Sequence, residues 1–198
     1  MKLWKHIEHL RQQAPLVHNI TNFVVMNNSA NALLAAGASP IMAHAHPEVR
    51  DMVNISSALV INIGTLDEYW VKAMLTAAET AHQLGKPWVL DPVGAGASAY
   101  RNEVLAQLLH FKPTLIRGNA SEIAALASTH SSGGKGVDST LESDHALAPA
   151  RSLQENVGSL VCISGATDYL LSSGEVYRVE NGHPLMTKVT GLGCSLSA

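Results

Sequence analysis

Short apolar runs alternate with longer helical segments along most of the chain, and this alternation limits the fold more than any other feature. Helices are predicted where apolar residues recur at three- and four-residue spacing, over residues 22–36 and 67–84. They end at Gly37 and Gly85, because glycine readily takes the left-handed conformation that closes a helix. Buried strands are predicted at residues 58–63, 87–90, 114–116 and 159–163.

Strands separated by helices form parallel sheets, because each strand needs a helical crossover to return to the same edge of the sheet. The predicted fold class is therefore α/β, with a mostly parallel central sheet and helices on both faces. The chain has 198 residues. Since an average domain has about 150 residues, we expect residues 1–198 to form a single domain.

The C-terminal part of the chain departs from this pattern in three places. Runs at residues 169–171 and 176–179 flank a Ser-Ser-Gly turn, which predicts a hairpin that adds antiparallel strands to one edge of the sheet. The Ser- and Gly-rich residues 128–143 predict a mobile insertion or lid. Residues 193–198 resemble a helix that has only begun, so we expect the C-terminal helices of this domain to be missing from the chain.

Composition excludes two large classes of function. The chain has 13 basic and 16 acidic residues and only 5% aromatic residues, so the basic surface of a nucleic-acid-binding protein is missing. No run approaches the ~18 apolar residues of a membrane-spanning helix. Charged residues are only 15% of the chain, which favours an oligomer or layers buried on both sides. The two cysteines, with Cys162 in an apolar strand, suit a reducing compartment, and we expect a cytoplasmic protein.

Polar residues follow the predicted strands, at the sheet edge where parallel α/β proteins bind ligands. Asp91 follows one strand, and Arg117, Asn119 and Glu122 follow the next. A cation, carboxylates and close backbone approach are what a phosphate-handling site needs. Each residue also has a purely structural interpretation: Asp91 could shape an Asp-Pro turn, Asn119 and Glu122 could form a helix capping box, and Arg117 could form a surface salt bridge.

A glycine-rich loop at residues 187–195 leads into the start of a helix. Such a loop directs backbone N–H groups at one point and can hold an anion or an oxyanion. Within it, the thiol of Cys194 is predicted to have a lowered pKa and to act as a base or nucleophile. The alternative is an ordinary helix start with an inert cysteine.

Two further groups of residues are candidates for binding a ligand or a metal. Asn19, Asn22, Asn27 and Asn28 cluster near a predicted helix start, so we expect one of them to cap the helix and others to bind a ligand. His44 and His46 have the spacing of a possible metal pair, but without a third ligand the pattern is more typical of a loop.

Taken together, these segments resemble the hydroxyethylthiazole kinase family, thiamine-salvage enzymes of the ribokinase-like superfamily. The resemblance implies a three-layer sandwich and transfer of phosphate from ATP, with Mg²⁺, to the hydroxyl of 4-methyl-5-(2-hydroxyethyl)thiazole. It also implies a homotrimer with active sites between subunits. The matching segments are residues 18–22 with Asn27, residues 37–42, residues 91–96 with Tyr100 and Arg101, residues 117–122 and residues 187–195.

The resemblance also implies roles for individual residues. Met42 and Gly191 would contact the thiazole, and Asn22 would reach it from the neighbouring subunit. Asp91 and Cys194 would be the catalytic residues, with Cys194 standing where related sugar kinases have an aspartate base. Asp91 and Glu122 would hold Mg²⁺. The implied ATP contacts are Arg117, Ser164, Asn119 and Thr190, with a serine at 164 where the family usually has threonine.

Two other functions remain open at this point. The first is a related kinase of the same superfamily that acts on a pyrimidine or pyridoxal alcohol. The second is a non-catalytic fragment that binds a nucleotide or a thiazole.

Overall fold

The computed structural model describes residues 3–130 and 143–198. The strands are β1 (Leu16–Ile20), β2 (Ser39–Ile41), β3 (Ala58–Asn62), β4 (Trp88–Asp91), β5 (Leu115–Asn119), β6 (Leu160–Ser164), β7 (Asp168–Ser172) and β8 (Glu175–Val179). The helices are α1 (Trp4–Gln13), α2 (Met26–Ala36), α3 (Val49–Ile55), α4 (Glu68–Gln83), α5 (Ala99–Leu109), α6 (Ala120–His130), α7 (Leu147–Val157) and α8 (Leu192–Ser197), with 3₁₀ turns at Ser143–Ala146 and Pro184–Lys188.

The described strands form one sheet in the order β2-β1-β3-β4-β5-β6-β7-β8. Neighbours from β2 to β6 run parallel, whereas β7 and β8 are antiparallel. The predicted α/β class, the mostly parallel sheet and the hairpin at its edge are therefore confirmed. All four predicted strands are present, each shifted by no more than a few residues at its ends.

Strands β1 and β2 were not among the predicted strands. β1 is buried although it carries His18 and Asn19. These polar residues interrupt its apolar run, so the sequence pattern did not indicate a strand. Its histidine is accommodated because Nε2 lies 2.7 Å from the carbonyl oxygen of Ala43. β2 has only three residues and includes Pro40, which a sequence pattern does not distinguish from a turn.

Helix α2 begins at Met26, four residues later than predicted. The backbone N–H groups that precede it are used elsewhere: that of Phe23 donates to Thr65 Oγ1, and that of Val24 donates to Asn22 Oδ1. The residue before the helix is Val25, which makes no side-chain capping bond, so the expectation that an asparagine caps this helix is wrong.

Two hydrophobic clusters lie on opposite faces of the sheet. In β3, Leu59 and Ile61 belong to the larger cluster and Val60 to the smaller one, as expected because successive side chains of a strand point to opposite faces. The larger cluster is covered by α3 to α7, and the smaller includes Leu33 of α2 and Ala198. The arrangement is the predicted three-layer sandwich.

The same alternation directs polar residues toward the smaller face. Asn62 and Asp91 end their strands in the same alternation as Val60 and Val89, and they are partners in the β3–β4 register. Arg117 alternates with Ile116, which belongs to the larger cluster. Three polar side chains thus project from adjacent strand ends toward α8.

Part of the predicted insertion lies outside the described residues. Residues 128–130 complete α6 and residues 143–146 form a 3₁₀ turn, while residues 131–142 are not described. Among the helices in the described ranges, none is long and apolar enough to cross a membrane.

Candidate active site

Asp91 is the centre of a polar cluster at the carboxyl end of β4. Its side chain is only 1% exposed, and its Oδ2 accepts hydrogen bonds from Asn62 Nδ2 and Ser197 Oγ, both at 2.7 Å. The pKa of Asp91 is raised from 3.8 to about 6, mainly by burial and to a smaller extent by the charge of Glu122, although Ser197, Arg117 and Asn62 act to lower it. The carboxyl group therefore titrates close to neutral pH.

Two asparagine amides extend this cluster away from the carboxylate. Asn22 Nδ2 donates to Asn62 Oδ1 at 2.8 Å, and the same oxygen accepts from the backbone N–H of Gly64 at 2.9 Å. Asn22 lies just after the end of β1, so the hydrogen bonds connect the ends of three adjacent strands. We refer to Asn22, Asn62, Asp91, Arg117 and Ser197 as the Asp91 cluster.

Helix α8 and the loop before it close the cluster from the other side. Gly191 has φ = +83°, and a Cβ there would lie 2.5 Å from Val25 Cγ1, so both conformation and space require glycine. Arg117 Nη1 donates to the carbonyl oxygen of Gly193 at 2.7 Å and lies 3.4 Å from Ser197 Oγ. Arg117 is buried, so the surface salt-bridge interpretation is wrong.

The thiol of Cys194 lies next to the Asp91 cluster, with Sγ 3.6 Å from Asn22 Nδ2. Burial raises the pKa of this thiol, and the negative charge of Asp91 raises it as well; hydrogen bonds from Asn62 and Asn22 and the charge of Arg117 only partly oppose them. The predicted lowering of the pKa is therefore wrong. The thiol stays protonated near neutral pH because it shares a dry site with a carboxylate.

Asn119 and Glu122 form the capping box that their spacing predicts. Asn119 Oδ1 accepts from the backbone N–H of Glu122, and Glu122 Oε2 accepts from the backbone N–H of Asn119, both at 2.9 Å. Glu122 Oε1 also accepts from the backbone N–H of Gly94, which lies in the loop after Asp91. The carboxylate is thus held next to the Asp91 cluster.

An aromatic wall, made of Phe23, His44 and Trp70, lies beyond Asn22. The His44 ring stacks on Trp70 with centroids 3.8 Å apart, and Phe23 lies 4.5 Å from Trp70 on centroids. Trp70 Nε1 donates to the carbonyl oxygen of Thr21, the neighbour of Asn22. His44 Nδ1 lies 3.5 Å from the carbonyl oxygen of Met42, so the wall supports the loop that carries Met42.

A sequence profile described as the Hydroxyethylthiazole kinase family matches residues 7–198. The protein "Hydroxyethylthiazole kinase" of Syntrophus aciditrophicus is 56% identical over 196 residues, which are 98% of this chain and 73% of the relative. The chain belongs to the hydroxyethylthiazole kinase family.

Solved structures agree with the family assignment. A hydroxyethylthiazole kinase protein from Pyrococcus horikoshii OT3 superposes with a TM-score of 0.89 at 42% identity, covering 98% of this chain and 72% of that chain. A ribokinase-like superfamily protein from Enterococcus faecalis V583 superposes with a TM-score of 0.63 at 15% identity, covering 92% of this chain and 68% of that one. At that identity the second likeness shows the fold alone, which is ribokinase-like.

For this member of the family, the structure brings together several of the residues singled out in the sequence. Asn22, Asp91 and Arg117 belong to one hydrogen-bonded cluster, with Cys194 beside it. The side chain of Asn22 is buried, between Asn62 and Cys194. Glu122 is close enough to Asp91 to raise its pKa.

Other candidate residues from the sequence lie apart from these. Met42 is half-buried in the loop that the aromatic wall supports, and Ser164 at the end of β6 donates to the carbonyl oxygen of Gly118 at 3.3 Å. Thr190 is exposed in the loop before α8. His46 stacks on Tyr69, and no group of metal-ligating side chains that includes His44 or His46 occurs within residues 3–130 and 143–198.

Sequence reasoning did not single out Asn62 or Ser197. Asn62 could have been found, because it is the one polar residue of the otherwise apolar predicted strand at residues 58–63. Ser197 could not, because its contact with Asp91 joins residues 106 positions apart. Arg101, noted only within a motif, donates to the carbonyl oxygens of Ile63, Val93 and Gly64 and so joins the two loops that follow β3 and β4.

The site fits a magnesium ion in its donor chemistry. Mg²⁺ in phosphate-transferring enzymes is commonly held by one or two carboxylates together with water and substrate phosphates. Asp91 Oδ1 makes no hydrogen bond to the part of the chain that the structure describes, and the Glu122 oxygens each accept only one. Both carboxylates therefore retain lone pairs that could coordinate a cation.

Proposed function

We propose that this chain transfers the terminal phosphoryl group of ATP to the hydroxyl of 4-methyl-5-(2-hydroxyethyl)thiazole, a thiamine-salvage reaction. One observation carries the proposal: a buried carboxyl group, Asp91, lies where the ends of adjacent strands meet α8, because it accepts from Ser197 at the end of that helix while its neighbour Arg117 donates to Gly193 near the start. An alcohol held there would face both a proton acceptor and a set of backbone N–H groups. The family assignment supplies the class of acceptor.

Asp91 is the better candidate for the proton acceptor than Cys194. A general base works best when its pKa lies near the working pH, and the pKa of Asp91 is about 6. Burial and the charge of Asp91 raise the pKa of Cys194, so the thiol is uncharged and cannot take the proton. We assign Cys194 a contact with the acceptor instead, and to Asp91 Oδ1 the removal of the hydroxyl proton.

The transferred phosphoryl group carries negative charge, which the part of the site formed by Arg117 and α8 is suited to bind. Backbone N–H groups of Gly191 to Cys194 and the guanidinium of Arg117 supply positive potential there. Ser164, Asn119 and Thr190 are the remaining proposed ATP contacts. Glu122 would hold Mg²⁺, which neutralises phosphate charge when it is bound, and Asp91 would support the ion through its charge, since its Oδ1 is assigned to the hydroxyl proton.

The acceptor would lie between Asn22, Met42 and Gly191, with the aromatic wall behind it. Apolar and aromatic surfaces with a few polar contacts are typical of sites for small heteroaromatic molecules. We further propose that residues 1–198 form one kinase domain and that the protein is a cytoplasmic homotrimer, as the low fraction of charged residues favours.

The test is ADP release by the purified chain with ATP, Mg²⁺ and the thiazole alcohol. Pyridoxal, a hydroxymethylpyrimidine and a reaction without acceptor run in parallel, and the phosphorylated product is identified by mass. Release that depends on the thiazole alcohol, with no comparable rate for the other alcohols, supports the proposal. A preference for pyridoxal or the pyrimidine would assign the chain to another kinase activity, and binding without turnover would favour a non-catalytic fragment.

Cys194→Ser separates the two candidate bases. Because the thiol is assigned a contact and not a proton transfer, we expect this variant to keep most of its turnover. A loss as large as that of an Asp91 variant would assign the proton transfer to the thiol instead.

A further inference from the structure

The side chain of Asn62 makes hydrogen bonds to Asn22, Gly64 and Asp91 at a buried position where an apolar side chain could pack instead. Its side chain is 1% exposed at the end of β3, where Ile61 and Ile63 on either side are fully buried hydrophobic residues. A buried amide is unfavourable unless its hydrogen bonds are satisfied, and an apolar side chain would pack there without that requirement. The amide is nevertheless used on both sides, by Asn22 and Gly64 at Oδ1 and by Asp91 at Nδ2.

Backbone donors determine which way both asparagine amides face. The N–H of Gly64 can only donate, so the atom of Asn62 at 2.9 Å from it must be the oxygen. The N–H of Val24 imposes the same condition on Asn22 Oδ1 at 3.1 Å. With both oxygens assigned in this way, Asn22 must donate to Asn62, and Asn62 must donate to Asp91.

The donated hydrogen bond determines which carboxylate oxygen of Asp91 stays available. Oδ2 accepts from Asn62 and Ser197 at 2.7 Å each, so the carboxyl group cannot rotate without losing two short hydrogen bonds. Oδ1 remains for the reacting hydroxyl. Asn62 therefore acts on the proposed base through geometry, without itself contacting the acceptor.

Gly64 makes the connection to Asn22 possible. A Cβ at residue 64 would lie 2.5 Å from Asn22 Nδ2 and 2.8 Å from its Cγ, so any larger residue would displace the amide of Asn22. The backbone of this loop has little freedom to move away, because Arg101 donates to the carbonyl oxygens of Ile63 and Gly64 at 2.6 and 3.0 Å.

We propose that Asn62 is a positioning residue that connects the acceptor-contacting Asn22 to Asp91 and holds the Asp91 carboxylate with Oδ1 facing the acceptor hydroxyl. This proposal rests on the proposed kinase function. It assigns to Asn62 a change mainly in kcat. At Gly64, where an added Cβ would meet only Asn22, it assigns a change mainly in the KM for the acceptor.

The central variant is Asn62→Asp, which keeps the shape of the side chain and an oxygen for Gly64 and Asn22 but removes the donor to Asp91. We expect kcat to fall about 10- to 100-fold, as misplaced catalytic groups and lost supporting hydrogen bonds do elsewhere, with the KM for ATP unchanged. Asn54→Asp, the same substitution at an exposed position of α3, serves as the matched control and should behave as the wild type.

Gly64→Ala provides the opposite half of the test. It should raise the KM for the thiazole alcohol several-fold with a smaller change in kcat. A merely structural role would lower the amount of active protein in both variants and leave KM and kcat per active site unchanged. Equal changes of kcat and KM in the two variants, or wild-type kinetics in Asn62→Asp, would overturn the proposal.

A crystal structure of the Asn62→Asp variant tests the positioning role of Asn62 separately from the proposed kinase function. We expect its Asp91 carboxylate to be rotated relative to the wild-type crystal structure, whether or not the protein is active. If the wild type phosphorylates none of the alcohols, the proposed function fails, and an unmoved Asp91 carboxylate would separately overturn the positioning role.

Discussion

The Asp91 cluster and the aromatic wall lie side by side but are built in different ways. The polar cluster is anchored on the ends of adjacent strands, and Asn62 and Asp91 are direct partners in the sheet register. The wall depends on His44, which belongs to the loop between β2 and α3 and is only half-buried. Strand ends fix distances between side chains more tightly than loops do, so under the proposed function the chemical step would depend on the sheet and acceptor recognition on the loop.

The two regions also differ in the interactions that hold them. Loss of one partner in a buried hydrogen-bonded network leaves another polar group unsatisfied, so effects in the Asp91 cluster should be large. Stacked rings contribute only about 0.5–1.5 kcal/mol beyond their buried area. Changes in the wall should therefore be tolerated and should act on affinity rather than on the chemical step.

The largest expected effect is that of Asp91→Asn on turnover. The amide keeps an oxygen for Asn62 and Ser197 but cannot take a proton, so we expect kcat to fall by about 10²- to 10⁴-fold, the usual contribution of a general base. Steady-state kinetics would measure it. Asp51→Asn, at an exposed position of α3, is the control. If Asp91→Asn retained more than a tenth of the wild-type kcat, Asp91 would not be the base.

At neutral pH and without ligands, the Asp91→Asn variant should be more stable than the wild type. The pKa of Asp91 is raised from 3.8 to about 6, so between these values the folded state holds a proton that the unfolded state has lost. The contribution of Asp91 to the free energy of unfolding is therefore largest below about pH 4. It falls by about 3 kcal/mol in total as the pH rises through 6. Denaturant unfolding from pH 4 to 7 should show this fall in the wild type relative to Asp91→Asn. A variant less stable than the wild type at pH 7 would contradict it.

The opposite dependence is expected for His18, which supports the loop of the wall through Ala43. Burial lowers the pKa of His18 below 6.5, against the smaller effects of the Ala43 hydrogen bond and the charge of Glu48. The contribution of His18 to the free energy of unfolding is then largest above about pH 6.5. It is lost as the pH falls, because the unfolded state takes up a proton before the folded state does. The loss is at most about 1.4 kcal/mol per pH unit. His18→Gln should remove it, whereas His82→Gln, at an exposed position of α4, should not.

These two linkages oppose each other just below pH 6, so each variant should reveal the pH dependence that the other group causes. In Asp91→Asn, stability should rise with pH over this interval, and in His18→Gln it should fall. If the free energy of unfolding changed with pH in the same direction in both variants, the pKa values of the two groups would not be shifted as their surroundings predict.

The sequence could predict the parts of this molecule that depend on local pattern. Strands rich in β-branched residues, such as residues 58–63, and the Asn119–Glu122 capping box follow from neighbours in the chain. The contact of Ser197 with Asp91 depends on how distant elements meet and had no local signal. The pKa of Cys194 was predicted in the wrong direction because the helix start was visible in the sequence, whereas the burial and the nearby carboxylate were not.

The smallest expected effect is that of His44→Ala, which removes the ring stacked on Trp70 and leaves the Asp91 cluster intact. The lost stacking corresponds to about 0.5–1.5 kcal/mol, or a rise of about 2- to 10-fold in the KM for the thiazole alcohol. Neither kcat nor the KM for ATP should change, because the strand ends that carry Asp91 are not involved. His82→Ala is the matched control. If kcat fell in His44→Ala as much as in Asn62→Asp, the wall and the polar cluster would be one mechanical unit, and the separation of recognition from chemistry would be wrong.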